Sequence, residues 1–250
     1  MAGHSKWANI KHKKAATDAK RGKLWSKLSK AIMVAAKSGG SDLDTNIRLR
    51  TLVSDARAVS MPKDNIERAI KKGAGELENI AFEEIVYEGY GPGGVAVMCD
   101  ILTDNRNRTA PEVKKAFEKS GGKMGATGCV GYLFERKGLF LISSESVDEE
   151  KLMEIAMEAG ADDIANSDGN FEVTCEPEKY TDLTEAFEKA EIECVSKQVT
   201  RIPSNTVDLS AADAKKVLAL MEELDDHDDV QSVSANFNLT EEAMAALDAG

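Results

Sequence analysis

The spacing of apolar residues changes near residue 81, and this change constrains the fold more than any other feature of the sequence. Before it, apolar residues recur every three or four positions, which is typical of amphipathic helices. After it, short runs alternate apolar and polar residues between Gly-rich turns, which is typical of strands. A chain of 250 residues is also too long for one small core. The sequence therefore predicts a basic helical domain followed by α+β domains.

Three helices are predicted in the first 75 residues. The first covers 18–37, and Asp44 or Thr45 is positioned to cap the second. The third has Pro62 in its first turn and ends at the Gly-Ala-Gly of residues 73–75. Residues 4–15 are interpreted as a short helix or as a basic arm that becomes ordered on binding.

The rest of the chain predicts one α+β domain inserted in another. Residues 138–203 have the order βαββαβ of the ferredoxin-like plait. The flanking segments repeat that order, with strands at 94–103, 129–136, 205–209 and 229–237 and helices at 109–120 (a capping box of Thr109 and Glu112) and 210–224. We therefore expect a multi-domain α plus α+β protein, an N-terminal helical bundle followed by two ferredoxin-like domains: a helical domain over 1–80, a discontinuous domain over 81–137 and 204–250, and an inserted domain over 138–203.

Positive charge is concentrated at one end of the chain, although the whole carries a net charge of −12. Residues 1–37 contain nine Lys and one Arg against a single acidic residue, Asp18. The last 47 residues, 204–250, contain two basic and eleven acidic side chains. Such a basic cluster is the electrostatic footprint of a polyanion-binding protein, whereas the alternative is an ordinary solvated helix face.

The helix predicted over 18–37 places lysines on one arc and apolar residues on the neighbouring arc. The lysine arc is expected to bind phosphate and the apolar arc to pack. Trp7 has two open interpretations, stacking on an unpaired base or anchoring the first helix. Lysines paired with carboxylates of the later domains would contradict the phosphate contacts. The predicted contact residues here are Lys6, Trp7, Lys11, His12, Lys13, Lys14, Lys20, Arg21, Lys23 and Lys27.

A second phosphate contact is predicted at Arg106 and Arg108, between a strand and a helix N-terminus. The alternative is a salt bridge within the loop to Asp104. The Gly-rich stretch at 87–94 precedes a strand instead of a helix, so it predicts a turn and not a phosphate cradle.

The sequence offers little material for catalysis. It has three histidines, and none of the common hydrolase, metalloprotease or nucleotide-binding motifs is present. His227 lies among four aspartates at 225–229, which we interpret as a solvated helix end and not a metal site. We expect no enzyme activity, cofactor, metal or small-molecule substrate.

No stretch approaches the ~18 apolar residues of a membrane span, and the N-terminus lacks the apolar core of a secretory signal. The cysteines form no CxxC pair and match no zinc spacing, which favours buried thiols in a reducing compartment. We therefore predict a cytoplasmic protein with no membrane partner. The cysteines are Cys99, Cys129, Cys175 and Cys194.

Several segments together resemble the YebC/PmpR family, which includes the mitochondrial translational activator of cytochrome c oxidase subunit I. They are "AGHSKWANIKHKKAATDAKRGKLWSKL", "YEGYGPGG", "TDNRNRT" and "GYLFERKG", with "TRIPS" and "DDVQSV" further along. Trp25 and Cys129 depart from the residues expected there, phenylalanine and serine.

The resemblance implies three domains and a cytoplasmic, non-enzymatic role in gene expression. Bacterial members are named probable transcriptional regulators and are credited with DNA binding. A second body of family knowledge implies a ribosome-associated translation factor that contacts ribosomal RNA and relieves stalling. The sequence does not choose between DNA and ribosomal RNA as the partner.

Overall fold

The computed structural model describes residues 18–76, 82–167 and 169–248. Its helical part contains α1 (Asp18–Gly39), α2 (Ile47–Ala58) and α3 (Lys63–Gly73). Asn46 caps α2, because its side-chain oxygen accepts the backbone N–H of Leu49 at 3.0 Å. The prediction that Asp44 or Thr45 would serve as this cap was therefore wrong by one or two residues.

The three helices enclose a core of their own. Ile32 of α1, Leu49 of α2 and Ile66 of α3 are buried in it. Trp25 packs against this core and donates its indole N–H to the carbonyl of Val59 at 3.1 Å. The expected packing of the apolar arc of α1 is confirmed.

In the described residues, the remaining elements form two four-stranded sheets and one two-stranded sheet, with helices between the strands. In chain order they are β1 (Glu83–Tyr90), β2 (Ala96–Thr103), α4 (Arg106–Lys119), β3 (Lys123–Met124), β4 (Phe134–Ser143), α5 (Glu149–Glu158), β5 (Asp163–Ser167), β6 (Asn170–Cys175), α6 (Tyr180–Lys189), β7 (Cys194–Pro203), β8 (Val207–Leu209), α7 (Ala211–Asp225), β9 (Val230–Ala235), β10 (Phe237–Leu239) and α8 (Glu241–Asp248).

The strands from β4 to β7 form one antiparallel sheet in the order β5-β6-β4-β7. With α5 and α6 this is the predicted βαββαβ plait. Its core stacks Phe140 on Tyr180, with ring centroids 5.0 Å apart, and sets Phe187 edge-on to Phe140. Asp148 caps α5, because its side chain accepts the backbone N–H groups of Glu150 and Lys151.

The other four-stranded sheet takes its strands from the chain before and after this plait. Its strands are antiparallel in the order β3-β1-β2-β9. Helices α4 and α7 contribute Phe117 and Leu220 to its core, against Val97 of β2. A helical part followed by two α+β parts, one within the other along the chain, confirms the expected fold class.

The predicted strand at 129–136 is different in the structure. Residues 134–143 form the single strand β4 of the plait, while 131–133 form a short 3-10 turn. Gly138, where the inserted domain was predicted to begin, lies within β4, and a Cβ atom there would stand 2.6 Å from Cys175 Sγ. The glycine therefore permits close packing, and the two-residue strand β3 takes the edge of the first sheet. The sheet β3-β1-β2-β9 therefore does not have the βαββαβ order that was predicted for the flanking segments.

The Gly-rich stretch forms the predicted turn. Strands β1 and β2 pair from Glu83–Thr103 to Tyr90–Ala96. Gly93 and Gly94 have φ angles of 71° and 77°, which favour glycine.

Glu88 on β1 organises the loop that precedes β4. Its buried carboxylate accepts backbone N–H groups from Gly128, Val130 and Gly131 at 2.7, 2.8 and 2.8 Å. Burial alone would raise the pKa of Glu88, but the three backbone donors and the charge of Arg201 lower it below its ordinary value.

Replacing Glu88 by Gln is expected to destabilise this loop by about 2 kcal/mol, since an amide cannot accept all three bonds. Amide hydrogen exchange at 128–131 should accelerate. Glu84→Gln, which alters an exposed carboxylate on the same strand, is the control and should leave that exchange unchanged. Equal exchange in both variants would contradict the assignment.

Asp55 faces the plait across a cleft of about 880 Å³ where the helical part meets both sheets. Burial raises the pKa of its carboxyl to about 6, although the charge of Lys197 opposes the shift. Tyr180 lines the same cleft, and its buried hydroxyl has no hydrogen-bond partner among the residues that the structure describes.

The native state therefore binds a proton at Asp55 more tightly than the unfolded chain, whose Asp pKa is about 3.9. The stabilising effect of that proton is present below pH ~4 and is lost as the pH rises through about 6. Asp55→Asn is expected to raise the free energy of unfolding at pH 7.5 by up to about 3 kcal/mol. Urea titrations at pH 4 and 7.5 check this, and an equal effect at both pH values would contradict it.

Candidate nucleic-acid interface

The lysine face of α1 meets the turn between α7 and β9. We call residues 225–229 the acidic turn. Lys23 Nζ donates to the carbonyl oxygen of Asp226 at 3.0 Å. Lys27 Nζ donates to the carbonyl oxygen of Asp225 and lies 3.9 Å from that residue's carboxylate. Lys27 is 9% exposed, so it faces the protein and not the solvent.

Lys30 makes the third contact of this series. Its Nζ donates to the carbonyl oxygen of Asp228 at 2.9 Å and to Asp229 Oδ1 at 2.7 Å. Lys23, Lys27 and Lys30 follow the i, i+4, i+7 spacing that places side chains on one face of a helix. The periodicity was therefore predicted correctly, but the face turns towards the acidic turn.

This pairing has a simple electrostatic cause. The last carbonyl groups of a helix lack partners within the helix, and the helix dipole makes that end negative. The sequence adds four aspartates to the same end of α7. Three ammonium groups thus cap a helix terminus that already carries excess negative charge.

Asp229 connects α1 to the first turn of α4. Its buried carboxylate, 2% exposed, accepts from Lys30 through Oδ1 and from Arg108 Nη2 through Oδ2 at 2.8 Å. The hydroxyls of Thr109 and Thr103 lie 2.7 and 3.1 Å from the same Oδ2. Burial would raise the pKa of Asp229, but Lys30, Arg108 and Thr109 hold it far below its ordinary value.

Arg106 and Arg108 lie inside α4 and not in a loop before it. Asn105 is the N-cap, and its side chain accepts the N–H of Arg108 at 3.2 Å. Thr109 was wrongly predicted as the cap. Arg108 pairs with Asp104 at 3.0 Å, which confirms the salt-bridge alternative for this residue. Both carboxylates raise its pKa.

Both arginines are exposed, and they differ in that two carboxylates hold Arg108. The side chain of Arg108 is 45% exposed despite its two carboxylate partners. Arg106 is exposed at the first residue of α4. Arg106 is therefore the better placed of the two to meet a ligand.

His227 has a structural role in the acidic turn. Its Nδ1 accepts the backbone N–H of Asp229 at 3.1 Å, so Nε2 carries the hydrogen that is shared with Glu112 at 3.0 Å. The prediction of a solvated helix end was wrong for Asp229, which is buried. Over 18–76, 82–167 and 169–248, no group of three or more His, Cys, Asp or Glu side chains is arranged to hold a metal ion.

The structure brings together only part of the predicted set. Arg21 is exposed on α1, and Lys23 and Lys27 contact the acidic turn. Sequence reasoning missed Asp229 and its link to Lys30, although the acidic run opposite a lysine periodicity was a visible signal. Six predicted contact residues and the side chain of Lys20 lie outside the described residues: Lys6, Trp7, Lys11, His12, Lys13 and Lys14.

These observations define a class of protein with a helical part, a ferredoxin-like plait and a second α+β part that brackets the plait along the chain. The chain belongs to the TACO1/YebC family. Residues 5–76 match the TACO1/YebC N-terminal domain, and residues 82–237 match the second and third domains.

Relatives and a solved structure agree with this assignment. A probable transcriptional regulatory protein of Rhodopirellula baltica is 61% identical over 98% of this chain and 100% of its own length. One from Geobacter sulfurreducens is 54% identical over 99% and 100%. A conserved hypothetical protein of Aquifex aeolicus superposes with a TM-score of 0.84 at 50% identity, covering 93% of this chain and 96% of its own. In the described part of this chain, no helix has the length and apolar character to cross a membrane.

Proposed function

We propose that this chain is a non-catalytic, cytoplasmic regulator of transcription that binds DNA through its basic N-terminal part. The observation that carries the proposal is the concentration of positive charge in residues 1–37 of a chain whose net charge is −12. Lysine and arginine that neutralise phosphates release counterions, which drives binding to any nucleic acid. The names of the relatives direct the proposal to transcription.

The proposed contacts leave out the lysines that are bonded to the acidic turn. They comprise Lys6, Trp7, Lys11, His12, Lys13, Lys14, Lys20 and Arg21, with Arg106 as a separate contact. In the free protein Lys23 and Lys27 are not available as direct contacts, because their ammonium groups are bonded within the protein. Arg108 has its primary role in holding Asp229.

The acidic parts of the chain restrict how nucleic acid approaches. Residues 138–203 contain five basic and seventeen acidic side chains. The negative charge of this plait repels phosphate. A bound duplex therefore lies against the helical part and away from the plait. The acidic domains therefore orient the basic part without contacting the ligand.

Crosslinking in cells, followed by sequencing of the recovered nucleic acid, tests the proposal. Recovery of a limited set of promoter segments is expected. Recovery of ribosomal RNA instead would overturn the transcription role and favour a ribosome-associated translation factor. A variant with Lys11, Lys13 and Lys14 replaced by Glu serves as the control and should recover little of either.

A further inference from the structure

We propose that the acidic turn is an internal competitor of nucleic acid, which covers the lysine face of α1 until polyphosphate displaces it. The inference rests on the proposed function and adds a way in which the chain regulates its own binding of nucleic acid. It assigns Lys23, Lys27 and Lys30 two alternative partners, the end of α7 in the free protein and phosphate in the complex.

The geometry of the contact resembles what phosphate would offer. Three ammonium groups donate hydrogen bonds to three carbonyl oxygens and one carboxylate of the acidic turn. Along α1 the lysines at i, i+4 and i+7 span about 10 Å. That length corresponds to about three phosphates at 3.4 Å of rise per strand. Phosphate oxygens of a strand that runs along α1 can therefore take the place of the oxygens of the acidic turn.

Opening this contact leaves the cores intact. The helical core around Ile32 and the sheet core around Leu220 are separate clusters of buried residues. The lysines reach the turn through polar atoms, and the neighbouring link from Arg48 to Glu84 joins side chains that are 52% and 54% exposed. Exposed ion pairs contribute little and are screened by salt, so the Arg48–Glu84 link adds little to the contact between α1 and the acidic turn.

Asp229 remains satisfied when Lys30 leaves it. Arg108, Thr103 and Thr109 continue to bond its Oδ2. The buried carboxylate is therefore not stranded without partners, which would otherwise make release costly. Asp229 therefore keeps its bonds to Arg108, Thr103 and Thr109, and only the contacts between the acidic turn and α1 open.

Zero-length carbodiimide crosslinking of the whole protein follows the contact directly. The reagent activates an accessible carboxylate and joins it to a neighbouring amine, so it should couple Lys27 to Asp225, whose side chain is 18% exposed, in the free protein. Lys137 and Asp162, 2.8 Å apart in the plait, provide an internal reference. Adding a short DNA duplex is expected to lower the Lys27–Asp225 yield at least fivefold and to leave the reference unchanged.

Neutralising the turn provides the second measurement. The triple variant Asp225→Asn, Asp226→Asn and Asp228→Asn is expected to bind the duplex about tenfold tighter at low salt. Its matched control changes three exposed carboxylates of the plait, Glu154→Gln, Glu158→Gln and Glu185→Gln, and should change affinity by less than about twofold. Circular dichroism verifies that both variants are folded.

The outcomes separate the two proposals. If DNA binds but the Lys27–Asp225 crosslink yield does not fall and the two triple variants bind alike, the turn is a permanent contact and the competitor is overturned, while the proposed function stands. If neither the parent nor the turn variant binds the duplex or the corresponding RNA, both proposals are overturned. If both triple variants gain the same affinity for the duplex, the gain comes from the change in net charge, and the proposal of an internal competitor is again overturned.

Discussion

Replacing Asp229 by Asn will lower the free energy of unfolding by about 3–5 kcal/mol, because it leaves Lys30 and Arg108 facing an uncharged group in a buried site. The carboxylate is 2% exposed and bonds both cations as well as the hydroxyls of Thr103 and Thr109. Urea titration followed by circular dichroism measures the change. The loss should appear chiefly at the junction of α1, α4 and the acidic turn.

The pH dependence of this effect has a definite sign. Since the pKa of Asp229 is depressed in the folded state, its stabilising contribution is complete above the unfolded pKa of about 3.9 and is lost as the pH falls below it. The difference between parent and Asp229→Asn should therefore be constant from pH 5 to 7 and shrink below pH 4.

Asp104→Asn is the matched control for Asp229. It removes the other carboxylate of Arg108, one that is 46% exposed, and should cost less than about 1 kcal/mol. Equal losses from the two substitutions would contradict the assignment of Asp229 as the buried centre of this junction.

Reversing three N-terminal charges, Lys11→Glu, Lys13→Glu and Lys14→Glu, should weaken duplex binding by at least about 500-fold at 0.1 M salt. Each phosphate contact changes log K by about 0.9 for every tenfold change in salt, so at 0.1 M each contributes a factor of about eight relative to 1 M. Three such factors multiply to about 500, and the introduced carboxylates add repulsion. Fluorescence anisotropy of a labelled duplex measures the change.

A variant with the same change in net charge provides the comparison. Lys151→Glu, Lys189→Glu and Lys215→Glu alter exposed side chains on α5, α6 and α7. These residues lie outside the proposed contact surface, so the variant is expected to bind within about threefold of the parent. Comparable losses in both variants would mean that overall charge, and not the N-terminal segment, governs binding.

Local patterns predicted most of the secondary structure. The apolar stripe of α1 identified its packing face, and the order of elements over 138–203 identified the plait. The failures occurred where tertiary contacts decided the outcome. The predicted strand ended at 136 and the inserted domain was predicted to begin at Gly138, but β4 runs through this glycine, which lets it pass Cys175 and Tyr180.

The candidate site was harder to predict because a side chain's partner is not encoded by its own helix. Periodicity placed Lys23, Lys27 and Lys30 on one face, but it could not tell whether that face meets solvent or another part of the chain. The burial of Asp229 depends on β9 lying beside β2 and on α4 beginning at Arg106. Those pairings join residues more than one hundred positions apart in the sequence.

The salt dependence of duplex binding tests the central claim most directly, which is that the N-terminal lysines meet phosphate. The slope of log K against log salt concentration should be about 2.7 smaller in magnitude for Lys11→Glu, Lys13→Glu and Lys14→Glu combined than for the parent. The control variant Lys151→Glu, Lys189→Glu and Lys215→Glu should reproduce the parent's slope. Parallel lines for all three proteins would contradict the account, because they would mean that those lysines displace no counterions when the duplex binds.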